Sequence, residues 1–298
     1  MASHSHAQPE LEKNAQYFVP EPSAWPFMMT ISLFVFVGSF AAWLNGAEWG
    51  HYGFALGLAM VMAMTFVWFR GVVRESLSGK YKLQEDMTFR WAMGWFIFSE
   101  VMFFGAFFGA LFYARHLSLP WLSGEGAEFA TNEYLWKGFE ATWPTNGPGD
   151  VGGSFGTIPP WGVPFLNTIF LIVSGMTFEI AHHALKEGRR ARALIAMCVT
   201  VALGSAFLYF QAEEYIEAYS HLNLTLGSGI YGSTFFLLTG FHGAHVTLGT
   251  LMLIIMTLRI AVGHFKPEDN HFGFEAVGWY WHFVDVVWIG LFIFVYIL

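Results

Sequence analysis

The sequence is poor in charged side chains and in cysteine. Only 12% of its 298 residues are charged, whereas 55% are hydrophobic. An average soluble domain carries roughly 25% charged residues, so this shortage excludes an ordinary soluble fold. The single cysteine, Cys198, excludes a disulfide framework and a site built from several thiolates. Its apolar surroundings favour a buried packing role for it.

An N-terminal targeting segment is also missing. Residues 1–24 contain neither the apolar core of a signal peptide nor the Arg-rich pattern of a transit peptide. We therefore expect residues 1–24 to be an N-terminal tail, and the chain to enter its membrane through its own spans. The formal net charge of −8 identifies no partner, because the acidic side chains are scattered along the chain.

Long apolar runs are abundant, and seven of them are long enough to cross a bilayer. A spanning helix needs about 20 mainly apolar residues. The predicted fold class is therefore an all-α membrane protein with seven transmembrane helices. The predicted spans are residues 25–45, 52–70, 91–115, 164–186, 191–216, 228–260 and 275–298.

Two connections between these spans stand out. Residues 71–90 carry a basic run and form the predicted inner loop. Residues 116–163 are the only long connection, and their Gly, Pro and Trp content predicts an irregular cap packed on the outer face. Connections of this length are usually functional or disordered.

The distribution of lysine and arginine predicts the orientation, because positive side chains are retained on the cytoplasmic side or its equivalent. Of the 14 such residues, 12 fall in the N-terminal tail and in the connections after the second, fourth and sixth spans. The other two are Arg115 and Lys137, on the opposite side. We therefore predict that the N-terminus lies inside and the C-terminus outside.

Ionisable side chains inside the spans are candidate sites, because an unpaired charge there costs several kcal/mol. Glu100 lies nine residues into the third predicted span, about 13 Å from its inner end. It is either a protonatable functional carboxyl or a structural carboxyl hydrogen-bonded to a neighbouring helix, for example to a histidine of the sixth or seventh span. The residues alone leave both interpretations open.

Two polar pairs with i, i+3 spacing lie at similar predicted depths. They are His242 with His245, and His282 with Asp285. Such residues share one face of a helix. Two histidines with carboxylates are known metal ligands, but no established ligand spacing such as H-E-x-x-H is present. We therefore favour a network that bonds helices together over a metal site.

Two further polar groups lie at span ends, where they can reach water. The interpretation we favour for both is a solvated or snorkelling role at the interface. They are Glu179, His182 and His183 at the inner end of the fourth span, and Glu213, Glu214 and Glu217 at the outer end of the fifth.

A basic cluster follows the second span directly. It consists of Arg70, Arg74 and Glu75, preceded by Trp68. Arginines at this position would meet lipid phosphates on the inner face. The residues alone are also explained by the ordinary excess of positive charge on that side, which is the simpler interpretation.

Two histidines lie in the N-terminal tail, on the inner side by the predicted orientation. Histidine titrates near neutral pH, so His4 and His6 could collect protons for a partner. The alternative is a mobile tail without a function, as termini often are.

Seven strings in this sequence resemble subunit III of the haem-copper cytochrome c oxidases, and the resemblance extends from Trp25 to Leu298. Shared Trp, His and Asp residues make these strings specific, because chance similarity among membrane proteins would give apolar matches. The strings are WYWHFVDVVW at 279–288, GFHGAHV at 240–246, HFGFEA at 271–276, SEVMFF at 99–104, AHHA at 181–184, QAEEY at 211–215 and VRES at 73–76.

The resemblance implies an architecture and a role. Residues 25–70 would form a two-helix bundle and residues 91–298 a five-helix bundle, with phospholipids in a cleft between them. The chain would hold no haem, copper or catalytic residue of its own. It would sit beside catalytic subunit I, with subunit II in the same complex, support proton uptake there and protect the enzyme from inactivation during turnover. That complex would take electrons from cytochrome c, reduce oxygen to water and pump protons.

The resemblance also assigns residues and leaves alternatives. Glu100 matches a buried glutamate that reacts with carbodiimides, and Arg74 and Glu75 match positions that hold lipid headgroups. The connection before Trp161 is longer than in many members, and Phe69 stands where a second tryptophan is common. Subunit III of a related quinol oxidase is an alternative, although the two N-terminal helices favour the cytochrome c branch.

An autonomous transporter is a further alternative, but neither inverted repeats nor broken helices are visible. The resemblance implies a bacterial inner membrane, with the mitochondrial inner membrane as the other location. Nothing in the sequence suggests a nucleic-acid partner.

The predicted orientation can be tested by cysteine labelling from one side of the membrane. Single cysteines near Lys80 and Arg190 should react with a membrane-impermeant reagent only from the inside, and those near Gly149 and Asn223 only from the outside. Labelling of both sets from the same side would contradict the seven-span topology.

Overall fold

The computed structural model describes residues 18–19, 22–126, 129–266 and 271–298. His4 and His6 therefore lie outside the described residues. The described residues form helices and no strand, and seven of the helices are long and apolar enough to cross a membrane. The predicted all-α fold with seven spans is confirmed, while its orientation remains a prediction.

The described residues contain eight α-helices, and one of them is a single short turn. A π-helical segment, Phe292–Ile297, continues the last helix. The helices are α1 (Trp25–Leu44), α2 (Gly50–Leu77), α3 (Leu83–Tyr113), α4 (Leu119–Leu122), α5 (Val163–Lys186), α6 (Arg190–Ser220), α7 (Gly229–Ala261) and α8 (Phe272–Leu291).

The predicted inner loop 71–90 is mostly helical, so that prediction is wrong in extent. α2 continues to Leu77 and α3 begins at Leu83, which leaves only residues 78–82 between them. An apolar run shows only the part of a helix that lies inside the bilayer. The helix itself can continue beyond the bilayer in polar sequence. The Glu85 carboxylate stabilises the start of α3 by accepting the Lys82 N–H at 2.9 Å.

The outer segment 116–163 is also less irregular than predicted. α3 continues through a π-helical segment, Ala114–Ser118, into α4, and Thr131–Leu135 forms another π-helical segment. Later residues pack against the connection between α6 and α7. The Gly156 N–H donates to the Leu222 carbonyl at 2.8 Å, and Asn223 Nδ2 donates to the Gly152 and Ser154 carbonyls, each at 3.0 Å. The backbone of this part of the predicted cap is thus held by one backbone hydrogen bond and by two hydrogen bonds from the Asn223 side chain.

Two compact units divide the chain, one ending at Phe89 and the other beginning at Arg90, so that α3 contributes to both. In the first unit, α1 and α2 are antiparallel neighbours. Gly53 of α2 faces Ser39, and Gly57 faces the backbone of Phe36. Small residues with this spacing let two membrane helices approach closely. The proposed grouping of all seven helices into a two-helix and a five-helix bundle remains a prediction.

In the second unit, the aromatic residues of α8 form much of the core. Trp281 and Trp288 are fully buried, and each indole N–H donates to a hydroxyl of α5, at 2.9 Å to Ser174 and at 2.9 Å to Thr168. α5 in turn packs along α6. The indole ring of each of these two tryptophans therefore carries one polar atom, and both atoms have a partner.

Cys198 lies on the exposed side of α6, so the expected buried role for it is wrong. Met197, its neighbour in sequence, occupies the buried side instead. An apolar run in a membrane helix does not show which side faces the protein, because lipid and core are both apolar.

We predict that Gly57→Ala destabilises the α1–α2 pair. The added Cβ would overlap the backbone of Phe36, which cannot move as a side chain can, and overpacking of this kind costs about 1–3 kcal/mol. Gly71→Ala is the matched control, because a Cβ at Gly71 of the same helix would meet nothing within 4 Å. Thermal unfolding of the purified protein should show a lower midpoint for Gly57→Ala alone, and equal midpoints for the two variants would contradict this packing.

Candidate functional site

Glu100 forms a hydrogen-bonded pair with His245. Glu100 lies near the middle of α3, and its Oε2 lies 3.0 Å from Nε2 of His245 on α7. The other ring nitrogen of His245, Nδ1, lies 2.6 Å from the Phe241 carbonyl oxygen. The structure thus places Glu100 beside a histidine of the sixth span, one of the two spans considered on sequence grounds.

The geometry determines how protons are arranged in this pair. A carbonyl oxygen only accepts, so Nδ1 of His245 must carry a proton and donate it to Phe241. Nε2 therefore either accepts a hydrogen bond from a protonated Glu100 or donates one, as imidazolium, to the carboxylate. Both arrangements leave the pair without net charge, which is what a low-dielectric setting favours.

Aromatic rings surround the Glu100–His245 pair. The rings of Phe103, Phe104 and Tyr280 have centroids 6.0, 5.0 and 6.3 Å from the His245 ring. The Tyr280 hydroxyl donates to the backbone carbonyl of His245 at 3.4 Å. Among the described residues, no other titratable side chain hydrogen-bonds to the side chain of either member of the pair. The pair therefore joins α3 to α7 and ends there, instead of forming part of a longer chain of titratable groups.

His242 does not act together with His245, although the sequence placed the two on one face. His242 is fully buried, and its Nε2 lies 3.2 Å from the Val284 carbonyl of α8. Its Nδ1 has no hydrogen-bond partner among the described residues. The two histidines of α7 thus contact two different helices, α8 and α3.

The pair His282 and Asp285 belongs to a second network, between α8 and α5. Nδ1 of His282 lies 3.7 Å from Asp285 Oδ2, and its Nε2 lies 2.9 Å from Glu179 Oε1. Gly175, one turn before Glu179, leaves room for the carboxylate, because a Cβ there would lie 2.8 Å from Asp285 Oδ2. Both ring nitrogens of His282 therefore face carboxylates.

Glu179 and His182 also take part in this network, and the interfacial role favoured for them stays a prediction, since the Glu179 side chain is 51% exposed. Nε2 of His182 lies 3.4 Å from Glu275 Oε1, and its Nδ1 lies 3.9 Å from Glu179 Oε2. Glu275 also pairs with Arg90 at 2.7 Å and with Lys186 at 3.6 Å. The signal in the sequence was the i, i+3 spacing of Glu179 and His182, which matches that of the pairs in the later helices.

Glu214 is buried, so the interfacial interpretation is wrong for it. It is 2% exposed, and its Oε1 accepts the hydroxyl proton of Tyr296. Glu213 lies at the exposed side, where it accepts the hydroxyl proton of Tyr209. Side chains at adjacent positions of a helix point in different directions. One of two neighbouring glutamates at a helix end can therefore be buried while the other is exposed to solvent.

The predicted lipid-binding residues lie along the last turns of α2. Arg70 and Arg74 are exposed and make no ion pair with any residue that the structure describes. Glu75 accepts the hydroxyl proton of Tyr81 at 2.9 Å. Burial, together with this bond and the charge of Glu75, raises the pKa of Tyr81 to about 12. Tyr81 therefore stays protonated at neutral pH and keeps Glu75 in place.

No group of three or more His, Cys, Asp and Glu side chains in the described part of the chain has a geometry that could hold a metal ion. The paired arrangements therefore fit hydrogen-bonded links between helices. His242, His245, His282 and Asp285 contribute to separate links and not to one shared site.

Disrupting the Glu100–His245 pair should destabilise the protein in a coupled manner. Glu100→Ala and His245→Ala each leave the other group unpaired, which costs about 1–3 kcal/mol. Glu100→Gln retains a hydrogen-bonding amide and should cost less. In a double-mutant cycle read by thermal unfolding, the double variant should be less destabilised than the sum of the two single variants. Strict additivity would show that the two side chains do not interact.

Comparison with known proteins gives consistent matches over nearly the whole chain. The family model described as Cytochrome c oxidase subunit III matches residues 15–126 and 134–298. Cytochrome c oxidase subunit 3 of Marchantia polymorpha is 41% identical over 281 residues, which cover 94% of this chain and 95% of that protein. The proteins of the same name from Arabidopsis thaliana and Ceratotherium simum are each 38% identical, over 94% of this chain and 95% and 96% of their own lengths.

Proposed function

Because the chain belongs to the cytochrome c oxidase subunit III family, we propose that it acts as a structural subunit that stabilises a catalytic partner and its lipid. The family and its relatives make the chain an accessory, membrane-spanning subunit of cytochrome c oxidase, and hence part of an oxidoreductase complex of the respiratory chain. The finer statements that follow are proposals.

One observation carries the structural role. The ionisable groups inside the spans are engaged within the chain, and the Glu100–His245 pair joins α3 to α7. A proton path needs successive groups between which a proton can move. Among the described residues, no further titratable side chain is hydrogen-bonded to the side chain of Glu100 or His245. This favours a fixed link between helices over a proton relay.

The partner would supply the redox chemistry. We propose that haem and copper are held by catalytic subunit I, with subunit II in the same complex, and that this chain holds no redox centre. Cytochrome c is the proposed electron donor, and a quinol is the alternative. The proposed location is a bacterial inner membrane, with the mitochondrial inner membrane as the other option. His4 and His6 are proposed to collect protons near the entrance of the partner's uptake path.

Purification of the complex tests this assignment. The chain should co-purify with haem and copper in a complex that oxidises cytochrome c, and after separation in mild detergent the isolated chain should contain neither. Oxidation of quinol instead of cytochrome c would indicate the related quinol oxidase. A stable monomer that carries bound metal would contradict the structural role.

The exposed arginines of α2 support a role in lipid binding. The planar guanidinium of Arg74 can donate several hydrogen bonds to a phosphate, and Arg70 lies one turn away on the same face of the helix. Glu75 could accept from an ammonium headgroup. Trp68 lies two residues before Arg70, near the end of the span, where tryptophan is enriched.

Glu100→Gln should leave catalysis and pumping intact. The amide preserves the shape and hydrogen bonding of the neutral acid but cannot exchange a proton. We expect oxygen reduction and the number of protons pumped per electron to remain near wild type in reconstituted vesicles, while carbodiimide labelling of the subunit is lost. Loss of most pumping, with the subunit still bound, would show that Glu100 is part of a proton path.

Arg74→Ala should lower the phospholipid retained by the purified complex and shorten its lifetime during turnover, because the variant loses the guanidinium that binds the phosphate. Arg192→Ala is the matched control, since it removes one exposed positive charge at the start of α6. Phosphorus analysis and the decay of oxygen consumption measure the two effects. Equal lipid content and lifetime in both variants would contradict the assignment.

A further inference from the structure

A long-range hydrogen bond ties Phe18, which precedes the first span, to the start of α3. The Phe18 backbone N–H donates to Glu85 Oε1 at 2.6 Å, although the two residues are 67 positions apart. Glu85 is 2% exposed, and its Oε2 accepts the Lys82 N–H at 2.9 Å. Each oxygen of this buried carboxylate therefore has a backbone donor, one at the start of its own helix and one at Phe18.

The Phe18 side chain packs against the connection between α2 and α3. The centroid of its ring lies 5.9 Å from that of Tyr81, with the two planes at 60°. The Lys80 ammonium nitrogen lies 5.4 Å from the centroid of the Phe18 ring, within the distance at which a cation is attracted to an aromatic face. Three contacts thus hold Phe18, and all of them lie within the first unit.

Phe18 is one of two rings that enclose the ring of Tyr81. The other is Phe89, whose centroid lies 5.0 Å from that of Tyr81 with the planes at 74°. Tyr81 lies outside both helices, between the end of α2 at Leu77 and the start of α3 at Leu83. The position of its ring therefore depends on these side-chain contacts.

The enclosed tyrosine in turn holds Glu75. The Tyr81 hydroxyl donates to Glu75 Oε2 at 2.9 Å, and Glu75 Oε1 has no hydrogen-bond or ion-pair partner among the described residues. This second oxygen can accept one further donor, and the bond from Tyr81 determines where it points. A continuous series of contacts thus leads from Phe18 through Tyr81 to Glu75.

We propose that Phe18 is a positioning residue of the lipid site. Its packing on Tyr81 holds Glu75 in the orientation that accepts an ammonium headgroup, so the site prefers phosphatidylethanolamine to a phospholipid without an ammonium group. This inference rests on the proposed function, because it requires that lipid binds at Arg74 and Glu75. It adds a residue outside α2 and the class of headgroup that the site selects.

Substitution of Phe18 should change which lipid is bound. Phe18→Ala removes one of the two rings around Tyr81, while the phosphate contact of Arg74 is kept. We expect the ratio of phosphatidylethanolamine to phosphatidylglycerol on the purified complex to fall about fivefold, the lower end of the usual coupling between two sites. The complex is first equilibrated with vesicles that contain both lipids in equal amounts, and mass spectrometry of the bound lipid gives the ratio.

Two control variants should keep the wild-type ratio. Val19→Ala shortens the neighbouring side chain, which is 73% exposed. Phe18→Tyr retains an aromatic ring against Tyr81.

A double variant distinguishes positioning from a general structural role. Glu75→Gln removes the negative charge that attracts the ammonium group, so it should lower the same ratio. Because Phe18 acts on the headgroup only through Glu75, Phe18→Ala combined with Glu75→Gln should give the same ratio as Glu75→Gln alone. A residue that only stabilised the fold would lower the binding of both lipids, and its effect would add to that of Glu75→Gln.

An unchanged ratio in Phe18→Ala, an equal loss of both lipids, or an additive double variant would overturn the proposal. Phe18→Leu keeps an apolar side chain without an aromatic face, and it gives the same measurement if Phe18→Ala does not assemble. Arg74→Ala separates the two levels of inference. If neither Arg74→Ala nor Glu75→Gln changes the bound lipid, the proposed lipid binding is wrong. If both change it and Phe18→Ala does not, only the role of Phe18 is wrong.

Discussion

A carboxylate or imidazole in the middle of a bilayer needs a partner, and this requirement determines how the helices of the second unit are joined. Glu100 meets His245 across α3 and α7, and Glu179 meets His282 across α5 and α8. Apolar packing between membrane helices is weakly directional, because lipid is as apolar as a leucine side chain. The polar contacts therefore specify which helices are neighbours and at what depth.

The same requirement explains how a subunit can stabilise a complex without taking part in its chemistry. Side-chain hydrogen bonds between helices of the same chain hold those helices together. The exposed arginines at the end of α2 are proposed to add binding capacity for lipid.

Hydropathy and charge counting predict the seven spans well, because the bilayer imposes a minimum length on each apolar run. They fail outside the bilayer, which sets no limit on helix length there. α2 and α3 extend into the predicted inner loop, and helical structure continues past the predicted end of the third span, through Ala114–Ser118 and α4. The i, i+3 pairs correctly identify faces of single helices. They cannot show which helix lies opposite, so His242 and His245 were grouped although they contact α8 and α3 respectively.

The sequence also did not show which side chains at helix ends are buried. Glu213 and Glu214 are adjacent and chemically identical, yet only Glu214 is enclosed, by the residues around Tyr296 at the end of the chain. Glu179 lies close enough to the inner end of α5 to be read as a solvated group. Its position against His282 depends on the packing of α8, a helix more than 90 residues later in the chain.

Infrared difference spectroscopy of the oxidase tests most directly whether these pairs are fixed links. A protonated carboxyl has its own C=O stretching band, which appears in a reduced-minus-oxidised spectrum only if its protonation or hydrogen bonding changes with turnover. We expect the carboxyl C=O stretching region of the difference spectrum to be the same for the wild-type enzyme and for the Glu100→Gln and Asp285→Asn variants. A carboxyl difference band that disappears in either variant would contradict it.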